Sequence, residues 1–98
     1  MAFQLDWSQQ ASDDLREVVH YFSFRDPRIA RSLATRIIER LEHAVKFPES
    51  GRIVPEKNDE SIREVFLNPY RLVYHVDKSN GRVCVIRIWH ASRGDPEI

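Results

Sequence analysis

Apolar and polar positions alternate through Phe3-Gln4-Leu5-Asp6-Trp7, the period of a short strand. At Ser8 the period changes. Its hydroxyl suits a helix N-cap, and Ala11, Leu15, Val18, Val19 and Phe22 then follow the three-and-four spacing of one helical face. Asp13, Asp14, Arg16 and Glu17 occupy the opposite, polar side. Asp26-Pro27 opens a second helix, an acceptor followed by proline at the first helical position. An apolar stripe through Ala30, Leu33, Ala34, Ile37, Ile38, Leu41, Ala44 and Val45 carries that helix to Pro48. Few residues separate the two helices around Ser23 to Arg25, so they form an antiparallel hairpin.

From Pro48 to Ser61 the chain is polar and holds Gly51, Pro55 and Asn58, the composition of a long loop that is functional or mobile. Gly51 is expected in a turn that needs positive φ. Three strand-like runs follow: Ile62 to Leu67, Tyr70 to Val76 and Arg82 to His90. Asn68-Pro69 divides the first two, and Asn80-Gly81 marks a hairpin between the last two. The order β-α-α-β-β-β predicts one α+β domain over residues 1–98, a helical hairpin packed on one face of a mostly antiparallel sheet.

Period two puts Arg71, Val73 and His75 on one face of their strand and Leu72, Tyr74 and Val76 on the other. In the last strand it groups Cys84, Ile86, Ile88 and His90 against Val83, Val85, Arg87 and Trp89. Neither strand has a clean polar face. The second face of the sheet is therefore expected to be covered by a loop, a symmetry mate or a partner chain. Trp7 and Trp89 are expected as packing aromatics.

A 98-residue chain with 42% hydrophobic residues builds a thin core, for which a stabilising partner is plausible. Its 15 Lys and Arg balance 15 Asp and Glu, and the halves divided at Ser50 are balanced too, so no basic tail advertises phosphate binding. No helix-turn-helix spacing or basic arm points to direct DNA reading. The single cysteine, Cys84, excludes an internal disulfide and fits a small buried strand residue in a reducing compartment. The opening Met1 to Asp6 has no charged leader, and no apolar run reaches membrane-spanning length. The expected location is the cytoplasm. His20, His43 and His75 lack ligand spacing, and neither metal nor cofactor is expected.

The informative residues are polar ones set among apolar runs: Gly51-Arg52, Pro55-Glu56, Arg63-Glu64, Tyr70-Arg71 with Tyr74, and His90 with Arg93. A buried charge costs several kcal/mol unless paired, so these are structural ion pairs or a site. Arg71 has Glu56 or Glu64 as available partners, Arg63 and Glu64 point to opposite faces, and His90 at a strand end suits a hydrogen-bonded structural role.

These landmarks, in this order on this frame, resemble the RelE/ParE superfamily of bacterial toxins, the toxin halves of type II toxin–antitoxin pairs. The opening Trp7-Ser8, Ala11 and Asp14-Leu15 matches as well, and the likeness covers essentially the whole chain. It implies a cognate antitoxin that wraps the toxin with an extended and helical tail, often adding a strand to the sheet. It also implies one of two targets. RelE-like members cleave mRNA in the ribosome; ParE-like members poison DNA gyrase.

The ribosome-dependent nuclease would use Glu56 as base, His90 as acid, and Arg71 or Arg93 as clamp on the developing phosphorane. Against it stands the absent basic excess. The resemblance to short ParE-like endings in Ala91 to Pro96 favours the gyrase poison, without catalysis by this chain. On that branch Trp89, His90 and Arg93 are the expected target-binding residues, and Arg63, Tyr70 and Arg71 the expected antitoxin-binding ones. The assembly is open between a homodimer and a toxin–antitoxin hetero-oligomer. A further alternative is an inactive orphan member that acts only as an antitoxin-bound co-repressor.

Overall fold

Ser8 and Asp26 start the two helices as their side chains require. In the computed structural model, which describes residues 3–98, Ser8 Oγ accepts the Ala11 N–H at 3.0 Å and Asp26 accepts that of Arg28 at 2.9 Å. The helices are α1 (Gln9–Ser23) and α2 (Pro27–Lys46). The strands are β1 (Gln4–Trp7), β2 (Arg52–Ile53), β3 (Ile62–Leu67), β4 (Tyr70–Asp77) and β5 (Arg82–His90), in the sheet order β1-β5-β4-β3-β2. β1 runs parallel to β5 and every other pair is antiparallel. The expectation of no leader rests partly on Met1 and Ala2, which lie outside the described residues.

The helical hairpin packs on one sheet face, α1 over β5 and α2 over β3. Ile37, Leu41, Leu72, Tyr74, Val83 and Val85 are fully buried between the layers. Each removes one large side chain from water, at roughly 1.5–3 kcal/mol apiece. Among the described residues no helix is long and apolar enough to cross a membrane, and no three metal-binding side chains cluster.

Two expectations about this frame change. The stretch from Pro48 to Ser61 is not loop throughout: a 3₁₀ turn at Pro48–Ser50 leads into β2, and Val54 then turns the chain, accepting from Lys57 and Asn58 at 3.1 Å each. Gly51 has φ −76°, so positive φ is not its reason. A Cβ there would collide with the Tyr74 hydroxyl and come within 2.7 Å of the Glu64 carbonyl. Gly51 N donates to that hydroxyl at 3.2 Å, and the hydroxyl donates to Pro48 O at 2.9 Å. Positive φ is found instead at Gly81, which closes the β4–β5 hairpin.

The faces of β5 also differ from strict alternation. Val73 opposes Arg87 while Tyr74 opposes Val85, so Ile86 is an extra residue, a bulge. Beyond it the side chains exchange faces. Ile88 and His90 join Val83 and Val85 on the helical side, opposite Leu72 and Tyr70; Cys84, Arg87 and Trp89 share the far side with Arg71, Val73 and His75. Cys84 is half-buried rather than buried, and burial pushes its thiol pKa up.

Candidate functional site

The far face of the sheet holds the charges. β3 places Glu64 beside Val73, two residues from Arg71 on the same face of β4. Arg71 Nε donates to Glu64 Oε1 at 2.6 Å and its Nη2 to Oε2 at 3.0 Å. Two further bonds, 3.0 and 2.8 Å, run from Arg71 to Glu56 on the loop after β2. Arg52 Nε closes the row on Glu64 Oε2 at 2.8 Å. Arg71 thus pairs with both acids that the sequence offered it. Glu64 is 1% exposed, so two guanidiniums supply the charge compensation that burial demands.

Hydrogen bonding from Arg71 pulls the Glu56 pKa down to about 2, and Glu56 with Glu64 raises that of Arg71. A carboxylate held this low is a weak proton acceptor near neutral pH. Four of the five guanidinium N–H groups of Arg71 are held by these two carboxylates.

A second cluster closes the far face from the C-terminal side. Trp89 is 2% exposed, with Arg87 and Arg93 stacked over its ring at 4.7 and 4.3 Å. Its indole N–H donates to Gly94 O at 3.0 Å, and Arg87 Nη1 donates to Glu97 O at 2.8 Å. These bonds fold the tail back against β5 and bury Pro96. The cover over Arg71, Val73 and Trp89 on the second face therefore comes from this chain's own loop and tail, while Phe66 and His75 on that face stay exposed.

Arg87 has another partner. Past Val85, where β1 ends, α1 takes over the edge of β5: Ser8 Oγ donates to Ile86 O at 3.1 Å and Ile88 N donates to Asp14 Oδ2 at 3.0 Å. Asp14 also receives Arg87 Nε and Nη2, at 2.8 and 3.1 Å. Asp14, assigned by spacing to the polar side of α1, is buried instead, because this pair compensates its charge. Asp14 and Arg87 are the residues that sequence reasoning missed. The available signal was an arginine inside an otherwise apolar strand.

The expected site residues are brought together only in part. Arg71 and Trp89 are direct cross-strand neighbours on the far face; Tyr70 and His90 are neighbours on the helical face, their rings perpendicular at 5.4 Å. His90 is therefore separated from Glu56 and Arg71 by the sheet. Its Nδ1 accepts the Ser92 N–H at 3.2 Å and contacts the Ser92 hydroxyl at 2.7 Å. Arg63 stands apart on the helical side, where its Nη1 donates to Gly51 O at 3.0 Å and its Nε to Glu60 O at 3.0 Å. Tyr70 and Arg71 are buried, Arg63 and His90 half-buried, and Arg93 exposed.

Residues 5–94 match the model of a family described as ParE toxin of type II toxin-antitoxin system, parDE. No curated protein matches at a significant level. Among solved structures, the chain is similar to a chain of the chromosomal ParDE toxin–antitoxin system from P. aeruginosa, with TM-score 0.72 and 21% identity, covering 91% of this chain and 96% of that one. The toxin–antitoxin complex RelBE2 from Mycobacterium tuberculosis gives TM-score 0.64 and 17% identity over 92% and 99%. An arginine-to-alanine double mutant of E. coli toxin RelE in the free state gives 0.62 and 22% over 96% and 88%. At these identities the structural likeness is one of fold.

Proposed function

The chain belongs to the ParE toxin family of type II toxin–antitoxin systems, and from that premise we propose that it inhibits DNA gyrase and so replication, in the cytoplasm, until a cognate antitoxin neutralises it. The observation that carries this reading is the division of Glu56, Arg71 and His90 between two faces of the sheet. Cleavage of RNA by its own 2′-hydroxyl needs base, acid and cation around a single phosphate. Here the base is locked in an ion pair, the cation is neutralised twice, and the acid lies across the sheet. Balanced charge points the same way, since docking on ribosomal RNA draws its affinity from phosphate neutralisation.

The C-terminal surface is the proposed contact with gyrase. Trp89 works from beneath as the platform on which exposed Arg93 stacks, and half-buried His90, on the helical face, joins this end of the chain through its contact with Ser92. The antitoxin is supported by family membership and by structural neighbours that are themselves toxin–antitoxin complexes. It can reach half-buried Arg63 directly, whereas contact with Arg71 requires displacing Glu56.

The deciding experiment is pulse-labelling of DNA and protein synthesis within minutes of inducing this chain alone in a bacterial host. An early stop in DNA synthesis with continuing translation is expected. An early stop in translation would sink the gyrase reading.

A further inference from the structure

On the α1 side of Pro69 the helical face carries a cleft of about 540 Å³, set between the last turns of α1, the β3–β4 turn and the end of β5. Val18, Phe22 and Pro69 give it apolar walls. Glu17, Tyr21 and Arg25 follow at four-residue steps along one side, and Tyr70 and His90 face them from the sheet.

Tyr70 is the anomaly in this cleft. It is 7% exposed, yet among the described residues its hydroxyl has no hydrogen-bond partner. A phenol so buried ordinarily finds one within the protein. No fully enclosed side-chain nitrogen or oxygen lacks a partner, so this hydroxyl reaches solvent. Burial, and then the nearby Tyr21 phenol, push its pKa up, which keeps the proton on and the group a donor. His90 supplies a second donor. Its Nδ1 accepts the Ser92 N–H at 3.2 Å, which leaves the proton of the neutral ring on Nε2. Arg25 supplies a third, its guanidinium 4.1 Å above the Tyr21 ring. Among the described residues Arg25 meets no carboxylate, and Glu17, the acid of this cleft, meets no cation.

We propose that this cleft binds a small aromatic carboxylate, with its ring against Val18, Phe22 and Pro69 and its oxygens on Arg25, Tyr70 and His90. Three donors without protein acceptors suit a group that only accepts, and a guanidinium fork fits a carboxylate in particular. The apolar walls suit a flat ring, and the volume lies within the roughly 300–1,000 Å³ of small-molecule sites. Glu17 disfavours a dianion such as a phosphate monoester, because its own charge repels the second negative charge. The cleft lies across the sheet from the Trp89–Arg93 platform, so the inference holds whether or not gyrase is the target.

The test titrates the full chain with 2-naphthoate, and with 2-naphthamide and 2-naphthyl phosphate for comparison, following backbone amide shifts. Naphthoate should saturate at about millimolar concentration or below, with the largest shifts at 17–25, 70 and 90. Naphthamide should bind about tenfold more weakly, and the phosphate more weakly than the carboxylate. Arg25→Gln should weaken naphthoate about tenfold. Tyr70→Phe should weaken it about fivefold without lowering the melting temperature, because the hydroxyl gives up no bond within the protein. Glu17→Gln should improve binding of the phosphate more than that of the carboxylate. Arg16→Gln, which breaks a surface pair with Asp13 outside the cleft, should leave the Kd unchanged. The proposal is overturned if naphthoate fails to saturate, if naphthamide binds equally or the phosphate more tightly, or if the shifts fall elsewhere. It is overturned as well if Arg16→Gln is as damaging as Arg25→Gln, or if Tyr70→Phe lowers the melting temperature or leaves the Kd unchanged.

Discussion

Asp14 on α1 and Arg87 on β5, 73 residues apart in sequence, are joined by two hydrogen bonds at 2.8 and 3.1 Å in a buried pair. Asp14 simultaneously accepts the Ile88 N–H, and Arg87 simultaneously holds the Glu97 carbonyl. One ion pair thus ties the helical hairpin, the bulged strand and the tail. Removing either partner leaves the other charge buried and uncompensated. Asp14→Ala should cost about 3–5 kcal/mol, read as a lower denaturant midpoint. Restoring the site with an apolar pair, Asp14→Leu with Arg87→Met, should recover part of that loss.

The Glu56–Arg71 pair makes stability depend on acid. Glu56 has its pKa pulled from 4.5 to about 2 by Arg71, so the folded state binds this proton more weakly than the unfolded state does. Its contribution is complete above about pH 4.5 and is lost as pH falls toward 2. Glu56→Gln should flatten the acid limb of the stability–pH curve across that window. Carboxyl NMR of Glu56 should show a midpoint well below the ordinary glutamate range.

At Gly51 the constraint is space. Gly51→Ala drives a methyl into the Tyr74 hydroxyl and the Glu64 carbonyl, at about 1–3 kcal/mol. Tyr74→Phe removes the first obstacle but also the bond to Pro48 O. The double variant should therefore lose less than the sum of the single ones, and a double-mutant cycle by chemical denaturation measures the difference.

On the proposed gyrase contact, Arg93→Ala should separate stability from toxicity. Exposed and stacked over Trp89, Arg93 contributes through a cation–π contact of roughly 0.5–1 kcal/mol. Arg93→Ala should leave the melting temperature nearly unchanged and reduce both growth arrest and inhibition of gyrase supercoiling. Full toxicity at equal expression would remove Arg93 from the proposed contact.

Local pattern alone determined both helices, β1, β3, β4, β5 and the fold class, but not the two-residue β2 inside the expected loop. The Ser8 and Asp26 caps, the helical stripes, the alternation in β4 and the Asn-Gly hairpin each depend on neighbours within a few residues, where periodicity and capping chemistry act directly. The pairing of Arg71 with Glu56 and Glu64 was legible for a related reason: charges set in apolar runs need partners, and few acids were near. Tertiary structure decided the rest. The bulge at Ile86 carried Ile88 and His90 to the helical face, which separated His90 from Glu56 and Arg71. The burial of Asp14 came from an arginine 73 residues away, and the need for glycine at position 51 from a tyrosine 23 residues away. A bulge shifts register without changing composition, and a long-range contact leaves no periodicity in the chain. Only packing the hairpin against the sheet reveals either.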